Sequence, residues 1–588
     1  MTETIDPIFV SVLQRRLKAI TAEMGLTLLR TTRSPILNEA RDFVTGLYDA
    51  QGRMLEQTEY IPVLAFALQP VCERIARDFA GDIHPGDVFL HNDVFSGGNQ
   101  NNDVAAFKPV FHGGELVAWA ACKGHQADIG GAVPGGYNPE AREVWQEAFR
   151  IPAVKVIDRG KVRRDVWALV FANVRLKIVE DDLRAQIGGC TVGERALTAL
   201  FERHGGARVL AHIDALYDST ERMVRREIAR IPDGTYHGES WAFYDGVADG
   251  TRMKIDLDVS VAGDTVTFDF TGSSPQTPGF VNAPYAATAS AVMLTFLMLI
   301  DPDLPHNHGL TRPVRIVNPE GSFLNAAFPA ATTFGNSLTG PTSDAIFRAF
   351  SQALPDMVSA GWNRMLGFTV TGQDPRRNGD GNGSGNKYVD ILFLALKGGS
   401  GATRGADGYD HIGLINCAGG ILAQDYEMFE LQDPHILRRH EFARDSAGPG
   451  QWRGGLGVET EFVIDGEDVT GIAFGDGVED EARAFGLFGG GPGTANRIVL
   501  RQPDGGERAP KAKEIIRGIP RGTVFFQHAG GGGGYGDPRR RPAELVRQDV
   551  VNDLLSVDAA ARDYGVVLDP ATLAVDEAAT ARRRGAGS

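Results

Sequence analysis

The sequence predicts an α+β fold in which antiparallel hairpins and packed helices share several regions. The prediction rests on two observations. Met253–Val259 and Thr265–Phe270 alternate apolar and polar residues on either side of Gly263-Asp264, which is typical of a hairpin with one exposed face. In addition, 73 glycines and 30 prolines indicate many turns, which a helical bundle would not need.

The N-terminal segment is predicted to be a long amphipathic helix. Asp6 is a suitable N-cap and Pro7 fits the first turn, and apolar residues then recur at helical spacing to about Arg30. A strand at Gly46–Asp49 and a helix at Leu64–Ala80 are expected next. The apolar stripe of the first helix is expected to face the core or another subunit.

Further elements follow from the same patterns along the rest of the chain. The expected elements are helices at Arg142–Phe149, Asp181–His204, Ala286–Ile300 and Ser343–Gln352, a hairpin of Gly455–Phe462 with Val469–Phe474, loops at Arg376–Asn386 and Gly398–Gly408, and a frayed tail after Thr580. The two Gly-rich loops lack the strand-to-helix context of a phosphate loop. The five consecutive glycines before Tyr535 indicate close backbone approach or a mobile lid.

Length and composition bound the organisation of the chain. At 588 residues it is too long for one compact core. Changes in the pattern of helix-like and strand-like segments divide it into 1–235, 236–435 and 436–588. A net charge of −16 argues against nucleic acid as the main partner. The longest apolar run, near Ala286–Ile300, is too short to span a membrane. With four cysteines outside any CxxC pair and no signal peptide, a cytoplasmic protein with reduced thiols is expected.

The segment from His91 to Gly136 carries most of the candidate chemistry. Phe107–Phe111 and Leu116–Ala121 are predicted to pair as strands around a His-Gly-Gly turn. That pairing would bring Asp103 and His125 together, although they are 22 positions apart. A carboxylate and a neutral imidazole are suitable ligands for a divalent metal such as Zn, Mn or Fe.

Five motifs, in order, resemble those of the hydantoinase B/oxoprolinase family over essentially the whole chain. They are RTTRSPILNEARDF (Arg30–Phe43), HNDVFSGG (His91–Gly98), GHQADIGG (Gly124–Gly131), RDSAGPGQWRGGLG (Arg444–Gly457) and GGGGGYGDP (Gly530–Pro538). The family includes N-methylhydantoinase B, the C-terminal half of 5-oxoprolinase, and related subunits of acetone carboxylase, acetophenone carboxylase and caprolactamase. The resemblance implies a hydantoinase B-like fold.

The resemblance also implies how the protein works. Relatives act with a hydantoinase A-type ATPase subunit, which binds ATP and Mg, in hetero-oligomers of the (αβ)₂ type or larger. A lactam, imide or enolate oxygen is phosphorylated, and ring opening or carboxylation follows. The expected partners are therefore this subunit and a small-molecule substrate, with neither nucleic acid nor membrane.

The family's metal ligands would fall on Asp42, position 100, Asp103 and His125. This chain has Gln100 where the family typically has His, and Gln126 where a second His is usual. Glutamine is a poorer ligand for Zn or Mn than imidazole. Two interpretations follow: the metal site is degraded, or Gln100, Gln126 and Asn102 form hydrogen bonds to a substrate that carries amide groups.

Each candidate residue also has an ordinary structural interpretation. His125 and Asp103 are the catalytic candidates, but a buried His in a turn and an Asp in a cap would give the same pattern. Asp128 could orient His125 as a hydrogen-bond partner or form an Asx-turn. Arg33 could bind a substrate carboxylate or phosphate, or solvate a helix end. Asp42 could pair with its neighbour Arg41 in an exposed ion pair.

Three functions remain open from the sequence. The first is an ATP-dependent ring-opening amidohydrolase acting on a hydantoin, lactam or oxoproline, with His125 or a metal activating water. The second is the same architecture used as a ketone carboxylase of the acetone or acetophenone type. The third is a non-catalytic scaffold for the ATPase subunit. The polar cluster in one short hairpin argues against the scaffold.

Overall fold

The computed structural model describes residues 5–377 and 386–585. The helices are α1 (Pro7–Thr31), α2 (Pro35–Asn38), α3 (Pro62–Ala65), α4 (Leu68–Asp78), α5 (Arg164–Phe171), α6 (Ile178–His204), α7 (Gly206–Ile228), α8 (Tyr285–Leu297), α9 (Thr339–Phe350), α10 (Tyr426–Gln432), α11 (Ala543–Val551), α12 (Val557–Asp563) and α13 (Glu577–Gly585). Most of the loop predicted at Arg376–Asn386 lies outside the described residues.

The strands alternate with these helices along the whole chain. They are β1 (Phe43–Asp49), β2 (Met54–Glu59), β3 (Val88–His91), β4 (Asp103–His112), β5 (Glu115–His125), β6 (Val154–Asp158), β7 (Lys161–Val162), β8 (Gly234–Phe243), β9 (Arg252–Ala262), β10 (Thr265–Asp269), β11 (Val314–Val317), β12 (Leu366–Gln373), β13 (Lys387–Ile391), β14 (His435–Phe442), β15 (Val458–Ile464), β16 (Glu467–Gly475), β17 (Arg497–Arg501), β18 (Glu507–Arg508), β19 (Lys513–Ile519) and β20 (Thr523–Ala529).

Four sheets organise the strands. Their orders are β2-β1-β5-β4-β3-β6-β7, β11-β10-β9-β8, β13-β12-β16-β19 and β14-β15-β20-β17-β18. Strands β10 and β11 run parallel, while the other pairings between these strands are antiparallel. The predicted α+β class with antiparallel hairpins is therefore confirmed. The division at 435/436 stays a prediction, and one sheet joins strands from both sides of it.

The seven-stranded sheet is covered by the two longest helices. α1 begins with Asp6, whose side chain accepts from the amide of Ile8, as the capping pattern predicts. α6 packs against α1, β4 and β5. A Cβ atom on Gly193 would lie only 2.6 Å from Sδ of Met24 and 2.9 Å from Cβ of Ala120, so glycine permits this close approach.

The run of glycines before Tyr535 is a site of close backbone packing. A Cβ atom on Gly532 would lie 1.8 Å from the carbonyl oxygen of Ser400, and one on Gly531 would lie 2.3 Å from that of Ser446. Any side chain at these positions would separate the two segments. Of the two interpretations of this run, the structure supports close approach.

Several predicted elements are wrong, each for a local reason. Arg142–Phe149 is not a helix but a short 3-10 turn at Val144–Gln146, because Glu143 forms a β-bridge with Ala330 instead. The helix expected at Leu64–Ala80 is interrupted between α3 and α4.

The C-terminal part needs two further corrections. β15 and β16 are adjacent in sequence but lie in different sheets, so they do not form the predicted hairpin. The tail after Thr580 continues as α13 to Gly585 rather than fraying.

None of the helices in the described part of the chain combines the length and apolar character that crossing a bilayer needs. All four cysteines are buried and unpaired.

Candidate active site

The β4–β5 hairpin brings Asp103 and His125 to one point. Asp103 begins β4, His125 ends β5, and the two residues pair directly across the ladder. The turn uses Gly113 and Gly114 with φ of 60° and 88°, which glycine adopts without strain. Nδ1 of His125 lies 2.9 Å from Oδ1 of Asp103, and these residues are 4% and 1% exposed. Their predicted proximity is confirmed.

The second carboxylate oxygen of Asp103 is held by two amides. Nδ2 of Asn99 donates to it at 2.7 Å, and Nδ2 of Asn336 donates at 3.0 Å. Asn336 lies in a 3-10 helix at Thr333–Leu338, far away in sequence. Both oxygens of this buried carboxylate therefore have partners, which is the condition for keeping it charged inside the protein.

The side-chain amide of Gln100 belongs to the same hydrogen-bond network. Its Oε1 accepts from Nδ2 of Asn336 at 2.8 Å, and its Nε2 donates to the carbonyl of Thr333 at 3.0 Å. Each end of the amide therefore bridges to the 3-10 helix. Gln100 thus fixes the segment that carries Asn336 against the hairpin.

Lys123 adds a buried positive charge on β5. Its Nζ donates to Oδ1 of Asn99 and to the carbonyl of Leu64, the latter at 3.4 Å. Burial lowers the pKa of Lys123 to about 8, although the charge of Asp103 opposes the shift. Through Asn99, this ammonium group orients the amide that donates to Asp103.

The imidazole of His125 is held in an electronegative setting. Burial acts to lower its pKa, but the hydrogen bond and charge of Asp103, together with the charge of Asp42, outweigh burial and raise it. The ring also stacks on Tyr137, with centroids 6.1 Å apart and planes 22° apart. His125 is therefore fixed in orientation and biased toward holding a proton.

Asp42 approaches His125 from the start of the sheet. Arg41 takes a left-handed backbone with φ of 60°, and the carbonyl of Asp42 then accepts from the amide of His125 at 3.0 Å. Asp42 is half-buried. Desolvation raises the pKa of its carboxyl to about 7, with His125 opposing and Asp103 reinforcing that shift.

Two further predicted residues lie buried beside the pair. Nδ2 of Asn102 donates to the carbonyl of Gly135 at 2.9 Å, and Nε2 of Gln126 donates to that of Gly124 at 3.0 Å. Among the described residues, Oδ1 of Asn102 and Oε1 of Gln126 have no hydrogen-bond partner. These two acceptors stay available to a donor such as an amide N–H, so the proposed amide-binding role stays a prediction.

Asp128 and Arg33 are placed elsewhere. Oδ1 of Asp128 accepts from Nη1 of Arg175 at 2.9 Å, so Asp103 rather than Asp128 is the partner of His125 Nδ1. The side chain of Arg33 is 73% exposed and its Nε lies 4.0 Å from Asp181. Neither residue joins the buried cluster.

The arrangement does not fit a divalent metal. In residues 5–377 and 386–585, no three His, Cys, Asp or Glu side chains are placed to hold one ion together. Asp103 has both oxygens committed to His125 and the amides, and Gln100 is bound to the 3-10 helix. The predicted ligand set of Asp42, Asp103 and His125 is therefore not assembled as a metal site.

Sequence reasoning missed three members of the cluster. Lys123 had a visible signal, because it interrupts an otherwise apolar strand two positions before His125. Asn99 lies within the polar segment but offered no sign of its partner. Asn336 had no local signal, since only the folded chain brings it to Asp103.

The chain belongs to the hydantoinase B/oxoprolinase family, whose model matches residues 6–538. It is 36% identical to the caprolactamase subunit beta of Pseudomonas jessenii, over 99% of this chain and 100% of that one. The resemblance drawn from the five motifs is thereby confirmed.

Two solved structures share the fold. The crystal structure of the ATP-dependent caprolactamase from Pseudomonas jessenii superposes with a TM-score of 0.91 at 35% identity, covering 99% of this chain and 100% of that chain. A nucleotide-free acetone carboxylase structure superposes with a TM-score of 0.92 at 21% identity, covering 99% and 83%. The second likeness shows a common fold alone. The predicted hydantoinase B-like fold is confirmed.

Proposed function

We propose that this chain is the hydantoinase B-type subunit of an ATP-dependent heteromeric enzyme that opens a cyclic amide. The observation that carries the proposal is the buried His125–Asp103 pair in a chain that matches a caprolactamase subunit over its full length. The substrate class is a lactam, a hydantoin or oxoproline. ATP and Mg would be bound by a hydantoinase A-type partner in a hetero-oligomer, and the complex would be cytoplasmic.

The geometry supports general acid–base chemistry by His125. With Asp103 accepting from Nδ1, a neutral ring keeps its proton on Nδ1 and its lone pair on Nε2. Nε2 can then take a proton from the water that adds to the activated carbon of the ring. The same nitrogen can return a proton to the ring nitrogen as the C–N bond breaks. This leaves an acyl phosphate, which a second water hydrolyses to the carboxylate and inorganic phosphate.

The surrounding residues would position this pair rather than react. Asn99 and Asn336 hold the carboxylate of Asp103, and the ammonium group of Lys123 holds Asn99. The aligned carboxylate stabilises the imidazolium that forms when His125 takes up a proton. Catalysis of this kind contributes about 10² to 10⁴-fold in rate.

A second candidate is an ATP-dependent ketone carboxylase. Its support is the common fold with acetone carboxylase. In that case His125 would take a proton from the carbon beside the ketone carbonyl. The two candidates differ in substrate and product, so one assay separates them.

The test is reconstitution of the chain with its ATPase partner. ADP release and product would be measured with caprolactam, hydantoin and 5-oxoproline, and separately with acetone or acetophenone plus bicarbonate. The amidohydrolase proposal expects ring opening coupled to ADP release, with a loss of about 10²-fold or more in His125→Ala.

His237→Ala is the matched control for this assay. Nδ1 of His237 also lies 3.0 Å from a carboxylate, that of Asp258, but this pair is exposed on another sheet. Ring opening should be unchanged in this variant. Full activity in His125→Ala would favour a scaffold, and carboxylation without ring opening would favour the second candidate.

A further inference from the structure

A cavity of about 660 Å³ is lined in part by chain segments that lead to the candidate active site. Ala127, two residues after His125, is part of its wall. Ile36, whose carbonyl accepts from the amide of Asp42 at 2.9 Å, is also part of the wall. The volume is within the range of small-molecule sites in proteins.

Two buried acidic residues are part of the wall of this cavity. Asp390 and Asp433 both line it and both are buried. Burial raises the pKa of each carboxyl, that of Asp433 to about 7, and the charge of Asp433 adds to the shift at Asp390. Two adjacent buried carboxyls are hard to ionise together unless a cation lies between them.

Acceptor atoms without donors also belong to residues that line the cavity. Gln424, which is buried and lines the cavity, hydrogen-bonds Asp390. Its Oε1, Oδ2 of Asp390 and Oε1 of Gln432 have no partner among the residues that the structure describes. Buried polar atoms are rarely left in this state. An ammonium group has three donors and no acceptor, so it complements such a set of oxygens.

Arg377 also lines the cavity, but among the described residues neither it nor Arg376 forms an ion pair with Asp390 or Asp433. Arg376 and Arg377 lower the pKa of Asp433 somewhat, against the larger effect of burial. Their ion pairs, however, go to Asp374, at 2.9 Å and 3.2 Å. Their other donors reach the backbone carbonyls of Glu430 and Gln432. The carboxyls of Asp390 and Asp433 are thus left to another cation.

The cavity wall also includes exposed basic side chains, together with one further carboxylate, that of Glu180. Arg33 and Lys177 line it and are exposed. Among the described residues, the one ion pair of the Arg33 guanidinium is a 4.0 Å contact with Asp181, so most of its side-chain donors are open to a ligand. The apolar part of the wall includes Phe171, Val174, Leu176, Ile178 and Ile391.

We propose that this cavity binds a linear amino acid, with its ammonium group against Asp390 and Asp433 and its carboxylate near Arg33. The apolar wall would contact the methylene chain between the two charges. Opening a lactam yields a molecule of this class, with an amine at one end and a carboxylate at the other. The inference rests on the proposed function, because it makes the cavity the product site.

The test is binding of 6-aminohexanoate to the purified full-length chain by isothermal titration calorimetry. Hexanoate and hexylammonium, which each lack one charged group, are the comparison ligands. The proposal expects saturable binding of 6-aminohexanoate and about tenfold or more weaker binding of each comparison ligand.

Three variants locate the ligand. Arg33→Ala should weaken binding of 6-aminohexanoate and hexanoate and leave binding of hexylammonium unchanged. Because the side chain of Arg33 is exposed, this substitution should not disturb the fold. Asp433→Asn should weaken 6-aminohexanoate and hexylammonium. Glu427→Gln, an exposed position on α10, is the control that should change nothing.

The proposal is overturned by absence of saturable binding, by equal affinity for all three ligands, or by affinities that neither variant changes. If the assembled enzyme opens lactams but the chain does not bind 6-aminohexanoate, this site is wrong and the proposed function stands. If 6-aminohexanoate binds as expected and no cyclic amide is opened, the function is wrong and the site stands.

Discussion

Two buried His–Asp pairs in this protein have opposite environments. Nδ1 of His125 lies 2.9 Å from Asp103, whereas Nε2 of His435 lies 3.7 Å from Asp390, beyond hydrogen-bonding distance. The pKa of His125 is raised, while burial lowers that of His435 to about 3. The same two residue types therefore give a polarised pair in one place and two uncharged groups in the other.

The difference lies in the neighbours of each pair. Asp103 accepts hydrogen bonds from the side-chain amides of Asn99 and Asn336. His435 instead packs against Phe429, Phe462 and Tyr388, with ring centroids 5.2, 4.9 and 5.6 Å away. Burial alone removes charge, and only a supporting set of hydrogen bonds keeps it.

The largest effect should come from removing the charge of Asp103. Asp103→Asn keeps the shape of the side chain but no longer stabilises a protonated His125. The rate of ring opening by the assembled enzyme should fall about 10² to 10⁴-fold, with a smaller change in KM. Asp258→Asn, in the exposed pair with His237, should leave the rate unchanged; a normal rate in Asp103→Asn would contradict a catalytic role for the pair.

A smaller effect is expected when the support of Asp103 is reduced. Asn336→Ala removes one donor to Asp103 and the donor to Gln100, and leaves two buried oxygens less well satisfied. The free energy of unfolding should fall by about 1–3 kcal/mol, measured by urea denaturation. Asn552→Ala, at an exposed position, provides the comparison. Equal stability of the two variants would show that the amide network contributes little.

The buried carboxyls of Asp390 and Asp433 should make the free energy of unfolding depend on pH. The pKa of Asp433 is about 7 in the folded protein against an ordinary 3.8, so the folded state binds more protons between these values. Its contribution to stability is therefore lost as pH rises from about 4 to about 7. In Asp433→Asn, the urea midpoint should fall less steeply as pH rises. Part of the fall should remain because Asp390 is still present. An unchanged slope would show that Asp433 titrates normally.

The smallest effect is expected at His435. Its two ring nitrogens have no hydrogen-bond partner among the described residues. His435→Leu therefore removes an uncompensated polar group, and the free energy of unfolding should change by less than about 1 kcal/mol. A loss above about 3 kcal/mol would reveal a partner for this imidazole, such as a bound water.

The sequence predicted the centre of the candidate site but not its support. The His-Gly-Gly turn between two apolar runs was sufficient to pair Asp103 with His125, because hairpin register follows from the turn. Asn336 could not be predicted, since its contact joins positions 233 apart. Adjacent strands β15 and β16 were predicted to pair, yet each finds its partners in a different sheet. Local patterns identify strands but do not choose between distant partners.

The metal prediction shows a similar limit of what the sequence can predict. From the sequence, Asp42, Asp103 and His125 were compatible with a ligand set, and Gln100 and Gln126 were the visible departures from the family pattern. The structure adds that Asp103 is already bound on both oxygens and that Gln100 bridges to a 3-10 helix. Ligand-type residues can be recognised from sequence, whereas their hydrogen-bond commitments appear only in three dimensions.

The most direct test of the central claim is a double-mutant cycle on kcat/KM for ring opening by the assembled enzyme. The variants are His125→Ala, Asp103→Ala and the double substitution. If the two residues act as one catalytic pair, the double variant should lose little more than the more damaging single variant. Losses that multiply, as for independent sites, would contradict the account.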